Sequence, residues 1–519
     1  MMGKQIHILW TDDEIDLLKP YILFLEERGY KVSTATNGTD ALNLVEENDF
    51  DLIFLDENMP GLSGLETLER IKAQTPSTPV VMITKSEEED IMDEALGGKI
   101  SDYLIKPVNP KQILLTIKKN IDTKRLVSEK TTSGYQSQFG QIGMQINSAA
   151  SFSEWTEIYA RLVYWEREFD ASGAGGMEEV LKMQKSEANN EFARFIRNNY
   201  ESWFSGESGD APLISTGVFR EKIFPLLDRG KVMVVIIDNL RYDQWKIIEQ
   251  EISGLFRCDE ETIFSSILPT ATQYARNAMF AGMMPSEIQK HLPGLWVDEN
   301  EEDGKNAHEE ELCRAQMKKL GVNASFNYEK ITNQRAGKKL VENYHDLLNY
   351  DLNVLVYNFV DMLSHLRSEM EMIRELAYDE SSYRSLVNTW FQHSYLYELL
   401  KQLNTQDLTL VITTDHGAVR VTNPVKVIGD RQTSVNLRYK QGKNLNYNKK
   451  EVYEVLQPER VLLPRTNLTS AYIFAMNNDY LVYPNNYNHF VNLYRNTFQH
   501  GGISMEEMLI PISILSPIR

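Results

Sequence analysis

Residues 230–245 read GKVMVVIIDNLRYDQW. The apolar run from Val232 to Ile237 is short for a helix, rich in β-branched residues, and stops on Asp238. A run that is apolar on both faces is the pattern of a strand buried in a parallel sheet. In open α/β sheets the carboxyl end of such a strand is where ligands are held. The pattern recurs downstream. LNVLVYNFVDMLSH (352–365) carries Asp361 just beyond an apolar run, with His365 one helical turn later. LTLVITTDHGAV (408–419) ends on Asp415 and His416. SILPTATQYARNAMFAGMMP (266–285) gives a turn and a helix beginning near Thr272, and NTFQHGGISMEEMLIPI (496–512) sets His500 before a Gly-Gly turn. Taken alone, Asp361 and His365 also read as a helix cap and an exposed histidine.

Placement at strand ends brings Asp238, Asp361, Asp415, His365, His416 and His500 to one edge of one sheet. Mixed imidazole and carboxylate ligands suit Zn²⁺ or Mn²⁺. Six ligands are too many for one catalytic zinc with an open position, and right for two. Two divalent ions carry four positive charges, of which three carboxylates offset three. An alkoxide from Thr272 would offset the fourth. A threonine hydroxyl is a poor nucleophile unless its pKa is lowered, and a helix start beside a metal can lower it. Two ions roughly 4 Å apart can hold both the attacking and the leaving oxygen of an in-line displacement.

The first 120 residues alternate strand-like runs with helical patterns. IHILW, KVSTA, DLIFLD, PVVMIT and DYLIKP read as strands. The segments between them, EEEDIMDEALG (87–97) included, read as helices. Five such units predict a parallel sheet with helices on both faces. Asp12 and Asp13 fall at the end of the first strand, Asp56 of the third, Thr84 of the fourth and Lys106 of the fifth. Three carboxylates at one edge call for a hard cation such as Mg²⁺. Lys106 and Thr84 could stabilise the oxygens of a phosphoryl group on Asp56, since a carboxylate can act as nucleophile in phosphoryl transfer.

The chain has 519 residues, which predicts two to four domains. A net charge of −20 argues against duplex DNA and anionic membrane as partners. Cys258 and Cys313 make no disulfide framework, which fits a reducing compartment. There is no signal pattern, and no apolar run approaches the roughly 20 residues that span a bilayer. A cytoplasmic protein is therefore expected. Residues 123–205 are helical in pattern, with aromatics at core spacing and a loop at ASGAGG (171–176). They offer no catalytic constellation and no basic helix-turn-helix. Residues 298–311, DENEEDGKNAHEEE, read as an acidic surface loop, with His308 no ligand. From Arg420 to Lys450 the run is basic, with Lys426, Arg431, Arg438, Lys440, Lys443 and Lys449. That run reads either as a solvated loop or as a rim guiding a phosphate chain.

TDDE, LDENMPGLSGLE, MIT and YLIKP resemble the receiver domain of bacterial response regulators. That resemblance implies a CheY-like (flavodoxin-like) fold over residues 1–122. It implies Asp56 as phosphoacceptor, Mg²⁺ among Asp12, Asp13 and the backbone of Asn58, Thr84 and Tyr103 as switch pair, and a cis Lys106–Pro107 bond. Lys85 departs from the pattern, since receivers usually carry a small residue there. Residues 206–519 resemble the PglZ family of the alkaline phosphatase superfamily, an α/β fold. That resemblance implies one zinc on Asp361, His365 and His500, another on Asp238, Asp415 and His416, and Thr272 as nucleophile with Thr270 as competitor. Arg276 and Asn277 become candidates to touch the transferred phosphoryl oxygens. A receiver, a helical-bundle linker and a PglZ-like domain in this order resemble response regulators of the type IX secretion system. The likeness implies a sensor histidine kinase as partner, a homodimer on phosphorylation, and phosphodiester hydrolysis of cyclic or linear oligonucleotides. The rival readings are a non-catalytic scaffold contacting secretion or transcription proteins, and a phosphomonoesterase.

Overall fold

The computed structural model describes residues 5–75, 78–85, 100–172, 177–205, 211–298, 304, 306–369, 377–430, 433–465 and 469–518, without the side chains of 122–129 and 365–369. Two compact units divide the chain, residues 1–134 making up most of the first and residues 135–171 and 175–519 the second.

In the first unit, β1 (His7–Thr11), β2 (Lys31–Ala35), β3 (Leu52–Asp56), β4 (Val80–Thr84) and β5 (Asp102–Ile105) form a sheet in the order β2-β1-β3-β4-β5. Every pairing is parallel. The central strands β1, β3 and β4 are buried throughout, because helices cover both faces. Alternate residues feed two cores: Ile8, Trp10 and Phe54 on one side, Leu9, Ile53 and Leu55 on the other. The expected doubly covered sheet is thus present. The helix expected over 87–97 lies outside the described residues.

The second unit contains the helices Phe152–Ser172 and Glu178–Asn199, joined by aromatic packing such as Trp155 on Phe192 (5.5 Å between ring centroids). The same unit holds the α/β region, so these helices share its core rather than standing alone: Tyr159 packs 5.8 Å from Tyr242. Of the loop expected at 171–176, residues 173–176 lie outside the described residues.

The main sheet comprises β6 (Lys231–Ile237), β7 (Phe256–Ser265), β8 (Phe326–Ile331), β9 (Leu352–Tyr357), β10 (Leu408–Thr413) and a last strand, Leu509–Pro517. Between β10 and that strand lie β11 (Val419–Arg420), β12 (Asn423–Lys426), β13 (Tyr439–Gly442), β14 (Val452–Val455), β15 (Ala471–Ala475), β16 (Asp479–Val482) and β17 (Phe498–Gln499), which form small sheets; the last strand is β18. The main order is β7-β18-β10-β6-β9-β8. Strands β8, β9, β6 and β10 run parallel, and β18 is antiparallel to both its neighbours. The carboxyl ends of β6, β9 and β10 therefore lie side by side.

A candidate two-metal site and a phosphoacceptor site

Asp238 follows β6 directly, and Asp415 and His416 follow β10. One ligand atom from each lies within 4.8 Å of the others, and all three residues are buried. Asp361 lies in the first turn of the helix Phe359–Glu369 after β9. His365 lies one turn later in that helix, but its side chain is outside the described residues. His500 comes from far along the chain. The short β11–β17 ladder pairs Val419 with Gln499, so the residues flanking that pair, Ala418 and His500, are neighbours. His500 stacks on His416 with ring centroids 4.3 Å apart, and its Nε2 is 3.6 Å from Asp361 Oδ1.

Both imidazoles are oriented from behind. His416 Nδ1 is 3.1 Å from the Gly417 carbonyl, and His500 Nδ1 is 3.2 Å from the Thr270 carbonyl. Each Nδ1–H is thereby held as donor, which turns Nε2 toward the carboxylates as a lone pair. Metal-binding histidines are commonly fixed in this way. Burial lowers the His416 pKa to about 4, so the ring is neutral, as a ligand must be. Asp415 is the reverse case. Burial and then Asp238 raise it to about 8, and its Oδ2 is buried without a hydrogen-bond partner. A buried carboxyl kept from ionising, with one oxygen unpaired, would take up its charge beside a cation. Burial would raise Asp238 too, but Arg276 at 2.7 Å outweighs it and holds the carboxyl below its ordinary range. The donor set fits a borderline divalent metal such as zinc.

Thr272 opens the helix Thr272–Ala281. Its hydroxyl donates to Asp238 Oδ1 at 3.3 Å and lies 3.1 Å from His416 Nε2. Thr270 is different. It is fully buried, donates to the Gly502 carbonyl at 2.9 Å and accepts from the Gly501 N–H at 2.9 Å. Its hydroxyl fastens the turn that carries His500.

Arg276 is closed to solvent. Its Nε donates to Glu309 Oε1 at 2.7 Å, its Nη1 is 2.7 Å from Asp238 Oδ2, and its Nη2 is buried without a hydrogen-bond partner. Arg276 thus braces Asp238 through Nη1 and leaves Nη2 unengaged. Asn277 is buried one residue further on. The acidic-loop reading of 298–311 fails at Glu309, which is buried and takes Arg276, Lys330 and Tyr328 as partners. The basic-rim reading fails at Arg438 and Lys440. Arg438 is buried against Glu507 at 2.6 Å, and Lys440 is buried with its ammonium 4.4 Å from the Tyr483 ring centroid. Arg431 lies outside the described residues, and Lys426 and Lys450 are exposed.

Asn239 went unremarked in the sequence. It adopts φ 65°, and its N–H donates to Asp415 Oδ1 while its Nδ2 donates to Asp361 Oδ1, both at 3.3 Å. One residue therefore ties together carboxylates from the segments that follow β9 and β10. Asparagine directly after a strand-end Asp was the available signal, since asparagine tolerates the left-handed region.

In the first unit, Asp12, Asp13 and Asp56 lie together within 4.8 Å. Lys106 Nζ is 2.9 Å from Asp12 and 2.7 Å from Asp56, and its peptide bond to Pro107 is cis. Burial raises the Asp56 pKa against the pull of Lys106, as it would for a carboxylate awaiting a cation. Asn58 is exposed beside Asp56. The Thr84 hydroxyl donates to Glu57, Tyr103 is 39% exposed, and Lys85 leans outward to within 3.6 Å of Glu14.

Residues 218–514 match the model of the BREX system PglZ alkaline phosphatase-like domain. The chain belongs to the PglZ family. Ahead of that PglZ domain, residues 8–118 match the response regulator receiver domain, and residues 125–204 match the PorX response regulator linker domain. The three in one chain are a PorX-like architecture, a regulator with a phosphatase-like effector. Curated relatives include the transcriptional regulatory protein ZraR of Klebsiella oxytoca, 38% identical over 28% of this chain and 32% of that protein. The alginate biosynthesis transcriptional regulatory protein AlgB of Pseudomonas aeruginosa is 34% identical over 24% of this chain and 28% of its own length. This chain thus spans about a third of the curated relatives it matches. Solved structures include the receiver domain protein of Methanospirillum hungatei, 29% identical over 23% of this chain and 96% of that one, TM-score 0.23. The response regulator TrrA of Thermotoga maritima is 29% identical over 22% and 98%, TM-score 0.21. A receiver is phosphorylated by a histidine kinase, and no helix among the described residues is long and apolar enough to cross a membrane.

Proposed function

We propose that this protein is a cytoplasmic two-component regulator in which phosphorylation of Asp56 controls a zinc-dependent phosphodiesterase. Its substrates are cyclic or linear oligonucleotides, and its output is control of type IX secretion. One observation carries the reading: a hydroxyl, Thr272 Oγ1, lies 3.1 Å from His416 Nε2 and 3.3 Å from Asp238 Oδ1, beside a buried cluster of side chains that could hold a metal ion. A scaffold has no use for a nucleophile there.

Asp361, His365 and His500 would hold one zinc and Asp238, Asp415 and His416 the other, supplying positive charge that lowers the hydroxyl pKa and offsets the anionic diester. Thr272 Oγ1 gives up its proton and attacks phosphorus. The P–O bond to the departing alcohol breaks as the phosphothreonine bond forms, and the alcohol leaves protonated. Water then cleaves the phosphothreonine ester and restores the hydroxyl. Arg276 and Glu309 keep Asp238 oriented throughout. In the receiver, Asp12, Asp13 and the Asn58 backbone would hold Mg²⁺ while Asp56 accepts the phosphoryl group. Lys106 then pairs with that group, and Thr84 exchanges Glu57 for a phosphoryl oxygen as Tyr103 turns inward.

The test is metal content by elemental analysis, together with hydrolysis of a chromogenic diester and its matching monoester. About two zinc ions per chain and a faster diester rate are expected. Protein without a transition metal, and not activated by one, would leave the scaffold reading. A faster monoester rate would make the effector a phosphomonoesterase.

A further inference from the structure

At the carboxyl edge of the main sheet, beside the ends of β8 and β9, lies a pocket of about 370 Å³. That volume is in the range of small-molecule sites. Its walls include Tyr357, Phe359, Trp390 and Tyr395, and among the described residues no Lys or Arg lines it. The absence of lining cations makes it a poor phosphate site and a suitable one for an uncharged ring. Phe359 and Trp390 are stacked, with centroids 4.3 Å apart and planes within 3° of parallel. Such a stack can be extended by a further flat ring.

Two features tie the pocket to a polar, planar ligand near the catalytic edge. Tyr357 is 4% exposed, and its hydroxyl is buried without a hydrogen-bond partner. Buried tyrosine hydroxyls ordinarily find a partner, and leaving one unmade costs free energy. Burial also raises the Tyr357 pKa, so the group stays a donor at neutral pH. The second feature is position. Phe359 and Met362 line the pocket from the helical turn that also carries Asp361, which meets His500 at 3.6 Å. One turn of helix thus borders both the pocket and the candidate metal site.

We infer that this pocket is a subsite for the nucleobase next to the scissile phosphodiester, its ring extending the Phe359–Trp390 stack and an edge atom meeting the Tyr357 hydroxyl. The inference rests on the phosphodiesterase reading above and gives the base of its substrates a place, so that nucleoside diesters are preferred to simple alkyl ones.

The test uses the full-length, zinc-loaded protein with two diesters, thymidine 5′-(p-nitrophenyl phosphate) and methyl p-nitrophenyl phosphate, which share a leaving group. Trp390→Leu should raise KM for the nucleoside diester about tenfold, the scale of one base–aromatic stack. Tyr357→Phe should raise it severalfold. Neither should change the rate with the methyl diester. Tyr357→Phe should melt no lower than the parent, because it removes an unpaired buried hydroxyl. Equal effects on both diesters, or no effect on the nucleoside diester, would overturn the assignment. Should the parent protein hydrolyse neither diester, the activity reading falls and the pocket is judged separately by calorimetry. Adenosine 5′-monophosphate binding more tightly than ribose 5-phosphate, and weakened by Tyr357→Phe, would uphold it. Equal binding of the two would overturn it.

Discussion

Lys185 Nζ lies 3.0 Å from Glu506 Oε1, with both side chains buried. The contact joins the helix Glu178–Asn199 to the short helix Met505–Met508, and Asn189 reinforces it by donating to Glu506 Oε2 at 3.0 Å. Around it the chain is tightly fitted. A Cβ on Gly417 would come within 2.1 Å of the Glu506 carbonyl oxygen, so the residue after His416 has to be glycine. Glu507, next in sequence, accepts from the Gly502 N–H at 2.8 Å, close to His500. The linker helix therefore holds the segment on which both histidines depend.

Lys185→Met should accordingly cost about 3–5 kcal/mol, the usual penalty for leaving a buried charge without its partner. It should also weaken zinc retention, read by chelator competition. Burial raises the Glu506 pKa, but Lys185 and Asn189 outweigh it and leave it below the ordinary 4.5. A depressed carboxylate adds stability that is complete above the unfolded value and lost as pH falls through the folded one. The melting temperature should thus fall on acidification below about pH 4.5, and Glu506→Gln should flatten that limb. An unchanged slope in Glu506→Gln would show that other carboxylates carry the acid transition.

Thr270 and Thr272 should separate cleanly. Thr272→Ala should keep the melting temperature and metal content while losing at least about 10³-fold in diester turnover, as removal of a nucleophile does. Thr270→Ala leaves the buried Gly501 N–H and Gly502 carbonyl without their shared partner, at about 1–3 kcal/mol. Its activity should fall only as far as His500 loosens. Thermal melts and single-turnover rates on both variants decide this, and the reverse pattern would move the nucleophile to Thr270.

Asn239→Gly keeps the left-handed backbone at φ 65° while deleting the amide that reaches Asp361. Zinc affinity should drop about 10–100-fold, the range for lost ligand-orienting partners. Asn239→Ala should be worse by about 1–2 kcal/mol of stability, because a Cβ is disfavoured in that region. Competition with a fluorescent zinc chelator measures the first effect and thermal melts the second.

Beryllofluoride, a phosphoryl mimic, should raise the dimer fraction and the rate of oligonucleotide hydrolysis. Asp56→Ala should abolish both responses and leave turnover of a small chromogenic diester nearly unchanged. Light scattering and activity on the same samples test the coupling. A mimic that binds Asp56 but alters neither mass nor rate would exclude it.

Strand-end chemistry was legible in the sequence because a six-residue apolar run such as Val232–Ile237 has few physical uses besides a buried strand. Whatever ends it lies at the sheet edge, which is why Asp12, Asp56, Asp238 and Asp415 could be named as neighbours of a site. His500 was legible only through its Gly-Gly turn and its resemblance, since what seats it is a two-residue ladder formed with β11. Glu309, Arg438 and Lys440 were misread as surface charge for the same physical reason. A charged side chain can be buried only where a partner or a packed environment receives it, and those come from distant parts of the chain. Arg276 reaches Glu309 across 33 residues and Arg438 reaches Glu507 across 69. Local pattern carries periodicity, and so it specifies strands and the residues at their ends. Which charges are buried, which threonine fastens the His500 turn and which lies beside His416, and the φ of Asn239 are settled only when those distant segments pack together.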